Sequence, residues 1–158
     1  MATATYLIGI GSNRRGRHGA PAEELRAALA RVGGVIVASP IVTSDPVGPS
    51  QRRYANAAVL IASAEPPPVL LARLKAVEAA FGRRAGRRWG ARVIDLDILF
   101  WSKGRWMSPD LVVPHPRLRE RAFVLLPLAR IAPDRRDPVS GRTVRQLARR
   151  LTARRPVA

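Results

Sequence analysis

The stretch that most constrains this 158-residue chain is RWGARVIDLDILF, at residues 88–100. Residues 93–100 make an apolar run of strand length, β-branched at its start, in which Asp95 and Asp97 are the only polar residues. Side chains alternate along a strand, so the spacing predicts Asp95 and Asp97 on one side and Ile94, Leu96, Ile98 and Phe100 on the other. Two carboxylates projecting together repel, and a strand inside a sheet would have to desolvate them, so a positive group belongs beside them. Magnesium fits, because this hard cation takes oxygen ligands and uses one or two carboxylates plus substrate phosphates. The alternative is a solvated acidic pair answered by nearby arginines. Arg83, Arg84, Arg87, Arg88 and Arg92 precede the pair, and polyphosphate held between magnesium and arginine would engage both groups.

At this length one domain spanning residues 1–158 is expected, large enough to bury a core without covalent staples. Cysteine is absent, which removes disulfides and thiolate metal sites. No apolar run approaches a membrane span and the N-terminus lacks a signal-peptide pattern, so a cytoplasmic protein without a membrane partner is expected. The formal net charge of +17 first suggests nucleic acid. However, of 28 basic residues only Lys75 and Lys103 are lysines, which is equally what a coding bias toward arginine would produce. The arginines are spread from Arg14 to Arg155, and aromatic residues are too few for obvious base-stacking platforms. No specific nucleic-acid partner is expected.

In chain order, residues 6–10 read as a strand leaving through Gly9, Gly11, Ser12 and Asn13. Arg14 stands where a dinucleotide fingerprint needs glycine, and no phosphate-loop lysine follows. A tight glycine turn is the simpler reading, with close backbone approach to a ligand also open. Pro21, Glu23 and Glu24 start a helix whose stripe is Leu25, Ala28, Leu29 and Val32. Gly33 and Gly34 stop it. Residues 35–43 read as a second strand interrupted by Pro40, followed by a loop over 44–53. Residues 54–62 read as a third strand carrying Tyr54 and Asn56 on one face. Such a pair can stack a flat heterocycle and bond its edge, or can be an ordinary strand-end tyrosine and a turn-capping asparagine.

Residues 66–81 form a second helix striped by Leu70 or Leu71, Leu74, Val77 and Phe81. Glu78 opposes the dipole at its C-terminal end and needs a partner, an arginine or a ligand hydroxyl. Beyond the aspartate strand, His115 lies between two prolines and is followed by Arg119 and Arg121. These could present an imidazole and guanidinium groups to phosphate, or be merely structural. Residues 123–131 form a compact apolar segment containing Pro127. Residues 140–155 read as an amphipathic helix, with Val144, Leu147 and Leu151 inward. The order strand, helix, strand, strand, helix, strand predicts a ferredoxin-like βαββαβ core in the α+β class, with an antiparallel sheet and an added C-terminal helix. Its helices are expected on one sheet face, leaving the other for a site.

The sequences IGIGSN at 8–13, YANAAV at 54–59, Glu78 with GRR at 82–84, RWGARVIDLDIL at 88–99 and PHPRLRERAFVLLPLARIAP at 114–133 together resemble the hydroxymethyl-dihydropterin pyrophosphokinases. The pieces follow family order across most of the chain. The resemblance implies transfer of diphosphate from ATP to the hydroxymethyl oxygen of 6-hydroxymethyl-7,8-dihydropterin, with AMP as co-product, in folate biosynthesis. It implies two magnesium ions held by Asp95 and Asp97, and pterin contacts from Tyr54, Asn56, Trp89 and Phe123. Arg83 and Arg92 would be catalytic at the transferring phosphates. Glu78, Arg84, Arg88, His115 and Arg121 would serve ATP. The partners are then these two small molecules, and the chain is expected to act as a monomer. Two other classes remain open: a basic nucleic-acid module, whose binding would survive loss of both aspartates, and a ligand sensor without chemistry.

Overall fold

The fold was determined as a computed structural model, which describes residues 3–44, 54–82 and 93–153. The elements are β1 (Ala4–Ser12), α1 (Pro21–Val32), β2 (Val35–Ala38), β3 (Val42–Ser44), β4 (Tyr54–Ser63), α2 (Pro67–Ala80), β5 (Asp95–Trp101), β6 (Trp106–Ser108), β7 (Leu111–Val113), a 3-10 turn at Leu118–Glu120, α3 (Ala122–Ile131) and α4 (Val144–Ala153). The main sheet runs β2-β4-β1-β5 with β3 also on β4, and every pairing is antiparallel. This is the expected ferredoxin-like arrangement, with the second strand divided in two. Pro40 lacks the N–H a ladder needs, and the division falls there. Ser39 bridges the gap: its N–H donates to the Ala58 carbonyl at 2.8 Å and its hydroxyl accepts the Ala58 N–H at 2.9 Å.

Pro21 occupies the first turn of α1, where a missing N–H costs nothing, and the helix stops at Gly33 and Gly34, both at positive φ. Gly34 cannot be replaced cheaply: a Cβ there would lie 2.5 Å from the Ala62 carbonyl oxygen. The apolar faces of α1 and α2 cover one side of the sheet, where Leu25, Ala28, Val32, Leu70, Leu74 and Val77 pack on Ile8, Ile10, Val59, Ile61, Leu96 and Ile98. Burial of such side chains contributes about 1.5–3 kcal/mol each relative to exposure.

Two expectations are corrected here. The helices are not confined to one face: Leu125 and Leu128 of α3 and Val144 and Leu147 of α4 form a second core with Leu7, Ala58, Leu99 and Phe100 on the opposite side. The 123–131 segment is this helix α3, and Pro127 sits inside it. Phe100 therefore does not face with Leu96 and Ile98. Leu7 pairs with Phe100 but Ile8 pairs with Ile98, so Leu99 is an extra residue on β5, and the β-bulge it makes shifts the alternation by one. Upstream of the bulge Asp95 and Asp97 keep the predicted shared side, opposite Leu96 and Ile98.

Candidate active site

The floor of the site is built from strand register. Gly11 on β1 lies between Asn56 on β4 and Asp95 on β5, and Gly9 lies between Ala58 and Asp97. Paired residues share a sheet face, so Asn56, Asp95 and Asp97 flank a strip of two glycines. The strip is shallow because nothing rises from it: a Cβ on Gly11 would meet the Asn56 Oδ1 at 2.9 Å. Gly9 and Gly11, read from the sequence as a tight turn at the strand's end, lie inside β1 instead, where they give clearance above the sheet.

β5 is the last strand of the sheet, and its open edge is managed by a side chain. The Leu96 N–H donates to the Glu78 carboxylate at 2.8 Å. This buried carboxylate thus has a backbone partner among the described residues. A cleft of about 350 Å³ opens at this edge, lined by Glu78, Asp95, Asp97 and His115, with Leu71, Lys75, Ile98 and Asp110 among its other walls. Of the residues expected from sequence, the structure brings these four together. Among the described residues no cluster of three or more His, Asp or Glu side chains could hold a metal. A cation held by Asp95 and Asp97 would take its remaining ligands from phosphate oxygens and water, as magnesium commonly does. Two part-exposed carboxylates on one face suit that donor set.

His115 is set by the chain on both sides of it. Its N–H donates to the carbonyl of the bulge residue Leu99 at 3.1 Å, following the cis Val113–Pro114 bond. Nδ1 accepts the Arg117 N–H at 3.2 Å, which leaves the neutral ring's proton on Nε2. That nitrogen lies 4.0 Å from the Asp97 Oδ1, so the ring presents a donor to the space beside the carboxylates. Burial pushes the His115 pKa below its usual 6.5, and the Arg121 and Arg117 charges add to this, against the smaller opposing pull of Asp95.

Tyr54, Arg121 and Phe123 lie outside the cleft lining. Tyr54 is on the same face of β4 as Asn56, and Phe123 is in the first turn of α3, which packs on β4. Both rings are exposed, and the Arg121 guanidinium stands 5.7 Å over the Phe123 ring. Arg83, Arg84, Arg88, Trp89 and Arg92 fall outside the described residues. Arg119 departs from its expected place: it is bidentate to buried Asp137, with Nε at 2.6 Å and an η nitrogen at 2.8 Å. Sequence reasoning missed Lys75 and Asp110 as cleft walls. Lys75 stands three residues before Glu78, and that helical spacing was the available signal; Asp110 sits in a hairpin turn with none.

The sequence matches the family described as 7,8-dihydro-6-hydroxymethylpterin-pyrophosphokinase over residues 7–133. It is 39% identical over 159 residues to the 2-amino-4-hydroxy-6-hydroxymethyldihydropteridine pyrophosphokinase of Synechocystis sp., covering 96% of this chain and 80% of that one. The enzyme of the same name from Methylorubrum extorquens is 41% identical over 151 residues, 94% of each chain. Among solved structures, wild-type HPPK-DHPS of Plasmodium falciparum superposes with a TM-score of 0.77 at 16% identity, over 97% of this chain. There the chain spans only 42% of the larger protein, and the likeness concerns the fold. With the paired aspartates and the His115 loop at the β5 edge beside the glycine strip of β1, and the family match running through all three, the chain belongs to the 7,8-dihydro-6-hydroxymethylpterin-pyrophosphokinase family.

Proposed function

We propose that the chain transfers diphosphate from ATP to the hydroxymethyl oxygen of 6-hydroxymethyl-7,8-dihydropterin, giving AMP and the pterin diphosphate, a step of folate biosynthesis. The observation that carries this is the cleft at the β5 edge, where Asp95 and Asp97 share one face beside the glycine strip and the His115 Nε2 faces Asp97. Asp95 and Asp97 are the residues that would hold magnesium. Bound there with the substrate phosphates, the metal would supply neutralisation of the charge that develops on them.

The chain's own groups do the rest by position. His115, neutral and carrying its proton on Nε2, donates to a phosphate oxygen without adding a charge that burial and two arginines already disfavour. Asn56 reads the polar edge of the pterin over Gly11, with Tyr54 and Phe123 offering ring faces. Arg121 adds positive charge between the His115 loop and α3. Glu78 holds the Leu96 N–H and so fixes the strand between the two aspartates; its place in the cleft wall supports reading it as a neighbour of the nucleotide. Arg83 and Arg92, with Arg84, Arg88 and Trp89, complete the reading on sequence grounds, as groups for the transferring phosphates and the closed substrate pocket. Such a reaction asks for in-line placement and charge stabilisation more than for a strong base.

The test is AMP formation by the purified protein with ATP and magnesium, with and without the pterin. Pterin-dependent AMP, abolished by Asp95→Ala and by Asp97→Ala in variants that keep wild-type circular dichroism, is the expected result. AMP formed equally without pterin, or binding of both substrates with no AMP, would overturn it.

A further inference from the structure

A buried carboxylate lies away from the cleft, where α1 begins. Glu24 is fully buried, an expensive place for a carboxylate unless it is well bonded. Its two oxygens are taken by one residue: the His18 N–H donates to Oε1 at 2.6 Å and the His18 Nδ1 lies 2.9 Å from Oε2. The turn carrying His18 is closed by reciprocal backbone bonds between Gly16 and Gly19. Glycine is required at 16, since a Cβ there would come within 2.5 Å of the Glu24 Oε1 and 2.7 Å of the Val93 Cγ1.

What this turn touches gives it a consequence. The His18 ring packs on the Phe81 ring at 5.0 Å between centroids, and Gly16 abuts Val93. Phe81 and Val93 are both buried, and Gly82 leaves α2 at φ +104, where an added Cβ would lie 4.0 Å from the Val93 Cγ2. Phe81–Gly82 and Val93 are the residues on either side of 83–92, the sequence that holds Arg83 and Arg92. The described residues that flank that stretch, Phe81 and Val93, therefore both meet one turn, and the turn is held by the His18–Glu24 pair.

We propose that His18 and Glu24 are positioning residues for diphosphate transfer, fixing Phe81 and Val93, the described residues that flank in sequence the stretch holding Arg83 and Arg92. This rests on the pyrophosphokinase reading above. Arginines that meet the transferring phosphates act mainly in the transition state, so loosening the residues that flank them lowers kcat more than it raises KM. His18→Ala keeps the backbone bond to Glu24 while removing the ring from Phe81 and the Nδ1 contact from the carboxylate, which makes it the least disruptive probe.

The experiment compares pterin-dependent AMP formation by wild type, His18→Ala, Glu24→Ala and Glu24→Gln, with melting curves for each, and repeats His18→Ala in Arg83→Ala and Arg92→Ala backgrounds. The expected result for His18→Ala is a kcat about tenfold lower, with KM for both substrates within about threefold. Glu24→Ala should lose at least as much, and Glu24→Gln, which keeps an acceptor for the His18 N–H, should recover part of it. The decisive reading is the double variant: the His18→Ala loss should shrink toward none where the arginine it serves is already gone. A His18→Ala enzyme with wild-type kcat, or a tenfold loss that persists unchanged in both arginine backgrounds, overturns the proposal. A wild-type protein that makes no pterin-dependent AMP instead overturns the reading of function.

Discussion

Replacing Asp137 by alanine gives a measurable test of how the His115 loop is fixed. Asp137 is fully buried and accepts four hydrogen bonds: two from Arg119, one from the Val139 N–H at 3.0 Å and one from the Ser140 hydroxyl at 2.7 Å. Burial alone would raise its pKa, but these donors and the Arg119 charge outweigh it and bring the carboxyl from 3.8 down to about 2. That difference corresponds to about 2.4 kcal/mol favouring the ionised native form. The group's folded pKa is depressed, so this contribution is complete above pH 3.8 and is lost as pH falls through about 2. The alanine variant also leaves Arg119, Val139 and Ser140 without their acceptor, and breaking such a pair from one side costs about 3–5 kcal/mol. Arg119 keeps partial access to water, so the lower end applies: about 3 kcal/mol, or a fall in Tm of about 6–12 °C for a chain of this size. Thermal melts at pH 7 measure it, and Arg119→Ala with Asp137→Ala should lose less than Asp137→Ala alone, because no charge is then left unpaired. A Tm within 2 °C of wild type, or a double variant less stable than the single, would refute the account.

Glu78→Ala should expose the Leu96 amide to faster hydrogen exchange and cost about 1–3 kcal/mol, since a buried N–H loses its acceptor; unchanged exchange at Leu96 would contradict the edge-strand role. Asp97→Ala and Asp95→Ala should each reduce kcat at least about 100-fold, the scale of losing a main electrostatic contact to the transferring group, and added magnesium should not restore it. His115 has a folded pKa below 6.5, so its effect on stability is absent above pH 6.5 and destabilises as pH falls from there toward the folded value. Two-dimensional NMR of the ring should show Nε2 protonated and Nδ1 bare at pH 7. Tyr6 donates its hydroxyl to the Glu65 carbonyl at 2.6 Å, and burial followed by the Glu65 charge pushes the phenol up to about 12. Because the proton is held more tightly in the fold, stability should drop as pH rises from 10 toward 12, and Tyr6→Phe should remove that alkaline limb at a cost of about 1 kcal/mol.

The strand holding Asp95 and Asp97 was legible because two polar residues in an apolar run leave only one alternation that buries the rest. The bulge at Leu99 was not, since Ile98, Leu99 and Phe100 are all apolar and a shift of phase among them leaves no trace in the pattern. Both helices of the second core also carry readable apolar faces, but nothing in the periodicity says which sheet face a helix will choose. Arg119 was hidden by number: one guanidinium among so many gives no hint that it is committed to Asp137, eighteen residues on across an irregular segment. Glu24 was misleading in a different way. An acid in the first turn of a helix satisfies the dipole rule whether it is solvated or buried, so its pairing with His18 became visible only once the turn at Gly16–Gly19 was placed.

The bulge at Leu99 makes β5 two strands in one for the purpose of substitution. Before it, outward positions belong to the aspartates and inward ones to the helices α1 and α2; after it, Phe100 belongs to α3 and α4. Phe100 thus faces the same side of the sheet as the aspartates, seated in the α3–α4 core beyond them. Deleting Leu99 would remove the extra residue and restore regular alternation, leaving Ile98 opposite Ile8 and Phe100 opposite Leu7 on the faces they already occupy.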